Sequence, residues 1–392
     1  MSQVSLNVDE LKDFIKHMVI NNQYIQKNGK IPTAINVEGE SGLGKTSAIV
    51  QLAEELEMDT IKLNLSQIEE LGDLIGFPFK EFLMKRKEDG KQVWVQESLM
   101  PTYLKNKFLP MNQSRMSHAA PEWIQGRGEG GFLILDDYTR ADQRFMQATM
   151  ELIDRQEYIS WSLPKNWHII LTTNPDNGDY NVTTLDNAQK TRFISTNVKF
   201  DDKVWAKWAE GEGIDGRCIN FLLMHPELVT NTLNPRSITT FFNAISSIKD
   251  FEKELPIIQM IGEGSVGSEF SSMFTMFINN KLDQIISPHD AMTLVDEKKV
   301  FTSLEHAIGM ADNFRADISS IMTTRIINYC LIHASKNKVD DAMIERLVKF
   351  STDCHSFTDD LKYYMIKEIV NGNKVKFAKL MMHTDVVKMA TK

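Results

Sequence analysis

Cysteine is scarce in this sequence: only Cys218, Cys330 and Cys354 among its 392 residues are of this type. They lie far apart, and none belongs to a C-x-x-C pair. This spacing excludes a disulfide framework and a thiolate metal site, because both need several cysteines at short, regular separations. We therefore expect three buried thiols in a protein of a reducing compartment.

The sequence also lacks an excess of basic charge. Its 44 Lys and Arg are outnumbered by 53 Asp and Glu, and the resulting net charge of −9 disfavours sequence-independent coating of nucleic acid. No uninterrupted apolar run approaches the roughly 18 residues of a membrane span. The first ten residues carry no basic segment followed by an apolar one, so they do not look like a secretion signal. We predict a soluble, cytoplasmic protein with no membrane partner.

The hydrophobic pattern changes near residue 200. Before it, β-branched runs alternate with helical patterns, which predicts a parallel sheet with helices on both faces. After it, the period is 3.6, which predicts helices, with a second boundary near 290. The predicted class is α/β, with an αβα sandwich at 1–199 and helical domains at 200–290 and 291–392. The five predicted strands are Ala34–Val37, Thr60–Leu65, Phe132–Leu135, His168–Thr173 and Ile194–Val198.

One segment interrupts the alternation of strands and helices. Residues 80–96 contain two extended runs on either side of a Glu-Asp-Gly sequence at 88–90. Such a turn between two extended arms is typical of a β-hairpin. We predict a hairpin inserted into the first domain.

Residues 39–46 read Gly-Glu-Ser-Gly-Leu-Gly-Lys-Thr and match the phosphate-loop pattern G-x-x-x-x-G-K-[ST]. A predicted strand precedes the loop and a helical stretch follows it, so backbone N–H groups at the start of a helix can point at phosphates. We expect Lys45 to reach the β- and γ-phosphates and Thr46 to bind Mg²⁺. The predicted nucleotide-binding residues of this loop are Gly39, Glu40, Ser41, Gly42, Leu43, Gly44, Lys45, Thr46 and Ser47.

Two acidic residues end the predicted strand at 132–135. The carboxyl end of a buried parallel strand is where an α/β sheet places its ligands. We assign Asp136 to Mg²⁺, directly or through water, and Asp137 to polarising the attacking water. The plainer alternative is an acidic pair that caps the next helix.

The next predicted strand ends at Asn174. Its amide can both donate and accept a hydrogen bond, so it can orient the hydrolytic water. An Asn that only begins an Asn-Pro turn is the alternative interpretation.

Arg192 precedes the last predicted strand, and Arg236 begins a helix of the second domain. A guanidinium stabilises the charge on a transferring phosphoryl group. An arginine supplied by a neighbouring subunit would couple hydrolysis to assembly. Surface ion pairing is the alternative for each.

The order of these motifs resembles the AAA+ ATPases, and in detail the MoxR-like, dynein-related group with a hairpin insert in its second helix. The resemblance spans about 35 to 245. It rests on the following segments: 39–46 (Walker A), 65–78, 134–141 (Walker B onward), 174–180 (sensor 1 and the loop after it), 185–193 (arginine finger) and 234–237 (sensor 2).

The resemblance implies an ATPase that uses ATP and Mg²⁺, assembles as a ring, usually a hexamer, and remodels a protein partner, often one with a von Willebrand factor A domain. Carried over by position, Arg192 would be the finger acting on the neighbouring subunit, Arg236 a nucleotide sensor on an α-helical lid, and residues 80–96 an insert at the ring surface or pore. The family usually ends Walker B with Asp-Glu, whereas this chain has Asp136-Asp137. Its shorter second carboxylate predicts slow hydrolysis rather than weak nucleotide binding.

Two alternatives stay open. Lys85, Arg86, Lys87 and Lys91 lie near the predicted hairpin turn, which would suit a nucleic-acid motor of the McrB or MCM type. Asp137 would equally suit a nucleotide-gated scaffold with little turnover.

Overall fold

The computed structural model describes residues 4–176, 182–279, 285–309, 313–384 and 386. The chain divides into two compact units, Met1–Lys199 (unit 1) and Phe200–Lys392 (unit 2). Among the described residues, no helix is both long enough and apolar enough to cross a membrane.

A six-stranded parallel sheet forms the centre of unit 1. Each of the five predicted strands is confirmed, and the sixth, Ser5–Leu6, is too short to show a period in the sequence. Its strands are β1 (Ser5–Leu6), β2 (Ala34–Gly39), β3 (Asp59–Asn64), β7 (Gly131–Asp136), β10 (Trp167–Thr173) and β11 (Phe193–Val198). Their order in the sheet is β1-β11-β2-β10-β7-β3.

Helices cover both faces of this sheet, so its central strands β2, β7 and β10 are almost entirely buried and mostly apolar. On one face Phe132 and Ile134 of β7 pack with the first two helices, and on the other face Leu133 and Leu135 pack with the third and fifth. The α/β sandwich predicted for this half is thus confirmed. The helices of unit 1 are α1 (Val8–Lys27), α2 (Lys45–Glu55), α3 (Leu71–Ile75), α4 (Met100–Lys105), α5 (Gln143–Arg155) and α6 (Asn187–Lys190).

A second, antiparallel sheet lies between α3 and β7 in the chain; we call residues 78–118 the insert. Its strands are β4 (Pro78–Arg86), β5 (Gln92–Gln96) and β6 (Phe108–His118), in the order β5-β4-β6. Strands β4 and β5 pair over the range of the predicted hairpin. The pairing of β6 with β4 was not predicted. A two-residue pair, β8 (Glu157–Tyr158) with β9 (Trp161–Ser162), completes unit 1.

The described part of unit 2 is helical, as the 3.6-residue period predicts. Its first half packs around phenylalanines such as Phe221, Phe241 and Phe274, and its second half has another apolar cluster around Met322, Leu347 and Ile369. Its helices are α7 (Asp202–Gly211), α8 (Gly216–Met224), α9 (Pro235–Ala244), α10 (Leu255–Ser265), α11 (Gly267–Asn279), α12 (Pro288–Thr293), α13 (Glu297–Ile308), α14 (Ala316–Lys336), α15 (Asp341–Thr352), α16 (Asp359–Gly372) and α17 (Ala378–Met382).

Candidate nucleotide-binding site

The loop between β2 and α2 holds the phosphate-loop residues. Gly42 and Gly44 have φ of 79° and 82°, a left-handed conformation that glycine adopts without the clash of a Cβ. Gly39 runs so close to β11 that an added Cβ would lie 2.8 Å from the carbonyl oxygen of Val198. Helix α2 then begins at Lys45, so its first N–H groups and the positive end of its dipole face this loop.

The remaining loop residues surround this turn. Glu40 and Ser41 are half-buried, Leu43 packs against the α1/α2 side of the sheet core, and Ser47 is exposed in the first turn of α2. The sequence therefore folds locally as the motif predicts, with a strand entering and a helix leaving a glycine-rich turn.

The ammonium group of Lys45 is drawn into this loop. Its Nζ donates to the carbonyl oxygens of Gly39 at 2.5 Å and Glu40 at 2.9 Å, and it lies 3.4 Å from Oδ1 of Asn174. The residue is only 8% exposed. Burying an ammonium group costs free energy unless its protons are satisfied, so these oxygens hold the cation beside the loop, where a phosphate would be its natural counter-charge.

Thr46 and Asp136 are brought together from the loop and from the end of β7. Thr46 Oγ1 donates to Asp136 Oδ1 at 2.6 Å. A hydroxyl and a carboxylate at this separation are hard oxygen donors of the kind that Mg²⁺ prefers, usually with further ligands from phosphates and water. The described residues contain no group of three or more His, Cys, Asp or Glu that could hold a metal ion by themselves. The donor set therefore fits a magnesium ion that arrives with a nucleotide.

Two further side chains contact Asp136, and neither was predicted. Thr172 of β10 donates its Oγ1 to Asp136 Oδ1 at 2.7 Å and accepts the backbone N–H of Asp137 at 3.1 Å. Lys62 of β3 places its Nζ 3.2 Å from Asp136 Oδ2. The sequence offers one signal for Thr172 and Lys62, which is a polar residue near the carboxyl end of a predicted strand. Their contact with Asp136 follows from the strand order and register, which the sequence does not show.

These contacts set the ionisation of Asp136. Burial acts to raise the pKa of its carboxyl, but the hydroxyls of Thr46 and Thr172 and the ammonium of Lys62 outweigh burial and lower that pKa. Hydrogen bonds and a nearby cation favour the charged form of a carboxylate. Asp136 is therefore an anion at neutral pH, as a metal ligand must be.

Asp137 and Asn174 also meet. Asp137 has φ 51° and ψ 40°, a left-handed conformation that Asp tolerates better than most side chains. Its Oδ1 accepts from Asn174 Nδ2 at 3.3 Å, and its Oδ2 lies 3.7 Å from a guanidinium nitrogen of Arg140. Asp137 is thus held beside the side-chain amide of Asn174, whose oxygen lies near Lys45.

The two predicted arginines lie in different units. Arg192 follows α6 in unit 1, where its Nη1 donates to the carbonyl of Ala188 at 2.6 Å. Its Nε is buried and has no hydrogen-bond partner among the described residues. Arg236 is exposed in the first turn of α9, a helix of unit 2 capped by Asn234, and its role stays a prediction. Of the loop predicted to follow sensor 1, residues 177–180 lie outside the described residues.

No protein-family model matches this sequence, and no curated protein is significantly similar to it. Several solved structures are similar in part. RuvB of Thermotoga maritima, described as a Holliday junction branch migration motor, is 12% identical over 78% of this chain and 85% of that chain, with a TM-score of 0.34. A variant of the same RuvB gives 13% identity over 79% and 87% of the two chains and a TM-score of 0.37.

A candidate ATPase from Cytophaga hutchinsonii is 13% identical over 86% of this chain and 85% of that chain, with a TM-score of 0.27. These scores are too low for the similarity to support an argument. The assignment of the fold class therefore rests on the order and direction of the strands described above.

Proposed function

We propose that the chain is a Mg²⁺-dependent ATPase of the AAA+ type. The observation that supports this most directly is the meeting of Lys45, Thr46, Asp136, Asp137 and Asn174 at one edge of the parallel sheet, linked by contacts of 2.6 to 3.4 Å. These residues come from three separate parts of the sequence. A capping or turn role for each of them alone would not need them to share a site.

The proposed roles follow from the chemistry of each side chain. Lys45 and the N–H groups of the loop bind the phosphates, and Thr46 and Asp136 hold Mg²⁺, which supplies charge neutralisation at the transferring phosphoryl group when bound. Asp137 accepts the proton of the attacking water, and Asn174 keeps the carboxylate of Asp137 in position. The short Asp137 side chain implies slow turnover, because water polarisation depends on close placement.

We further propose that the competent unit is a ring, hexameric as in most AAA+ proteins, in which Arg192 acts on the site of the next subunit. Arg192 is partly exposed after α6, and a guanidinium offers five N–H donors, of which the Nη1 bond to Ala188 uses one, so it has donors left for another chain. Residues 200–290 would form the lid that carries Arg236, and 291–392 a helical extension.

For the partner, we propose a protein, as the MoxR-like resemblance implies, with a von Willebrand factor A domain protein as one candidate. A nucleic-acid partner is less favoured, because the chain as a whole carries a net charge of −9 and some of the cations of the insert are paired with acids of the same segment. Three of them form ion pairs there: Arg86 with Asp89, Lys107 with Glu88 and Arg115 with Glu81. ATPase activity that rises with added DNA and falls steeply with salt would reverse this preference.

The function is tested by ATP hydrolysis in parent and variant chains. We expect Asp137→Asn to lower turnover by about 100-fold or more while nucleotide still binds, and Lys45→Ala to abolish binding. Arg192→Ala should lower turnover by about 1000-fold. Arg127→Ala is the matched control, because that guanidinium pairs with Asp59 at the opposite end of β3, and it should leave turnover unchanged.

Mixing two inactive variants tests the ring. In a mixture of Asp137→Asn and Arg192→Ala subunits, some sites combine an intact Asp137 with an intact neighbouring arginine, so we expect activity to return. No recovery, in a mixture that assembles normally by light scattering, would contradict the shared site. If the parent binds ATP but fails to hydrolyse it in a single-turnover experiment, the chain is a nucleotide-gated scaffold instead.

A further inference from the structure

Lys62 lies on β3, the edge strand beside β7. It is paired in register with Ile134, and side chains two residues apart on a strand point to the same face. Lys62 and Asp136 are therefore diagonal neighbours on the face where Ile134 packs against Ile49 of α2. Diagonal pairs are within reach of a long side chain, and the ammonium of Lys62 lies 3.2 Å from a carboxylate oxygen of Asp136.

The two oxygens of Asp136 have different partners. Both hydroxyls, those of Thr46 and Thr172, donate to Oδ1, whereas the ammonium of Lys62 lies 3.2 Å from Oδ2. Asp136 needs a nearby positive charge because its side chain is only 12% exposed, and a buried carboxylate without one is costly. Lys62 supplies it, and because its own side chain is 49% exposed, its ammonium can move into water at little cost.

We propose that Lys62 is the counter-ion of Asp136 and competes with Mg²⁺ for its Oδ2, so that it sets how much Mg²⁺ the site needs before a nucleotide binds. This inference rests on the proposed function. Two cations that share one carboxylate oxygen repel each other, and at a few ångströms the repulsion is appreciable even with water present. The lysine is thus a positioning residue that holds the carboxylate of Asp136 in place and is displaced when the metal binds together with the phosphates.

The test is a titration of free Mg²⁺ at fixed concentrations of protein and a fluorescent ATP analogue, with nucleotide binding as the readout. For Lys62→Met, which removes the charge and keeps the length, we expect the Mg²⁺ concentration at half-maximal binding to fall by about tenfold. Lys62→Gln is a second charge-free variant, in case the first does not fold. Lys62→Arg keeps the charge and should stay within about twofold of the parent.

Lys16→Met is the matched control for general charge. It removes one ammonium from the same unit, where Lys16 pairs with Glu55 and not with Asp136, and it should leave the Mg²⁺ requirement unchanged. A second readout uses the metal alone: in a chelator, Lys62→Met should melt at a lower temperature than the parent, and added Mg²⁺ should raise its melting temperature more than the parent's.

The outcomes separate this inference from the proposed function. If the parent binds no nucleotide at any Mg²⁺ concentration, the proposed function fails. If the parent binds nucleotide with Mg²⁺ dependence but the charge-free variants share its midpoint, only the role of Lys62 is wrong. A weaker nucleotide affinity in those variants at saturating Mg²⁺ would also overturn the inference, because Lys62 would then contact the phosphates instead of competing with the metal.

Discussion

The two larger sheets of unit 1, the six-stranded parallel sheet and the three-stranded sheet of the insert, differ in how much of each strand is buried. Every residue of β7 and β10 in the parallel sheet is buried, whereas only Phe108 and Ser117 are buried among the eleven residues of β6 in the insert. The parallel sheet has helices on both faces, and the insert has a small apolar cluster around Met84, Val95 and Phe108. Buried apolar area is the main source of folding free energy, so the two sheets should differ greatly in local stability.

This difference in burial explains why the candidate catalytic site lies on the parallel sheet and not on the insert. Asp136, Asp137 and Asn174 of the candidate site stand at the carboxyl ends of β7 and β10. Both strands are packed on both faces, and hydrolysis needs groups placed to a fraction of an ångström. The insert carries exposed side chains on a lightly packed sheet, which suits contacts with a partner better than catalysis. Because most side chains of β6 are exposed, polar residues are tolerated at most of its positions.

The largest effect should come from truncating the same side chain in each sheet. Leu133 of β7 is fully buried, whereas Leu109 of β6 is 47% exposed. We expect Leu133→Ala to lower the free energy of unfolding by about 2–5 kcal/mol, because it leaves a cavity in a close-packed core. Leu109→Ala should change it by less than about 0.5 kcal/mol.

Chemical unfolding of the full chain, with hydrogen exchange of unit 1 peptides, measures both changes. Exchange assigns the loss to unit 1, since a chain of two units need not unfold in one step. Similar losses for the two variants would mean that the insert is as firmly packed as the parallel sheet, and the comparison would be wrong.

The buried His168 of β10 predicts that the stability of the parallel sheet depends on pH. It is the buried second residue of β10. Its Nδ1 lies 3.4 Å from Asn22 Nδ2, which is a donor because the same amide also bonds the backbone of Thr33. Burial lowers the pKa of this imidazole to about 4. Protonation would also place an N–H on Nδ1 against the amide N–H of Asn22, so the folded sheet needs a neutral ring.

The unfolded chain binds this proton near pH 6.5 and the folded chain only near pH 4, so stability is full above about 6.5 and falls as the pH drops towards 4. We expect this group to account for a loss of about 2–3 kcal/mol. His168→Gln, whose side-chain oxygen can accept from Asn22, should lack that loss, as urea unfolding at pH 7 and pH 4.5 would show. An equal pH dependence in both proteins would assign the acid sensitivity to other groups.

What could be predicted depended on burial. Strands such as β7 were predicted because burial on both faces produces continuous apolar runs such as Phe132–Leu135. Strands β3 and β11 are only partly buried, and they were predicted from β-branched residues that alternate with helical patterns. Strand β6 could not be, because a mostly exposed strand pairs through its backbone and leaves no apolar period in residues 108–118. The two-residue β1 is too short for any pattern.

The candidate site divides in the same way. Lys45, Thr46 and Asp136 belong to motifs that are continuous in sequence, so their residue types and spacing were enough to suggest them. Thr172 and Lys62 contact Asp136 only through the pairing of β10 and β3 with β7. Register between strands far apart in the chain is a tertiary property, and no local pattern encodes it.

The smallest effect concerns the insert itself. Arg115 of β6 lies with its guanidinium 4.5 Å from the ring centroid of Trp94 on β5, and its Nε donates to Glu81 of β4 at 2.7 Å, so one side chain spans all three strands. Its side chain is half exposed, and exposed cation–π contacts and ion pairs are each worth less than about 1 kcal/mol. We expect Arg115→Met to speed hydrogen exchange in the insert severalfold and to leave the exchange of β7 and β10 unchanged.

Arg115→Lys keeps the charge without the planar fork, and its exchange rate in the insert should fall between those of Arg115→Met and the parent. Faster exchange in the parallel sheet would show that the two sheets open together. The insert would then contribute to the stability of the candidate site, which we attribute to the buried strands alone.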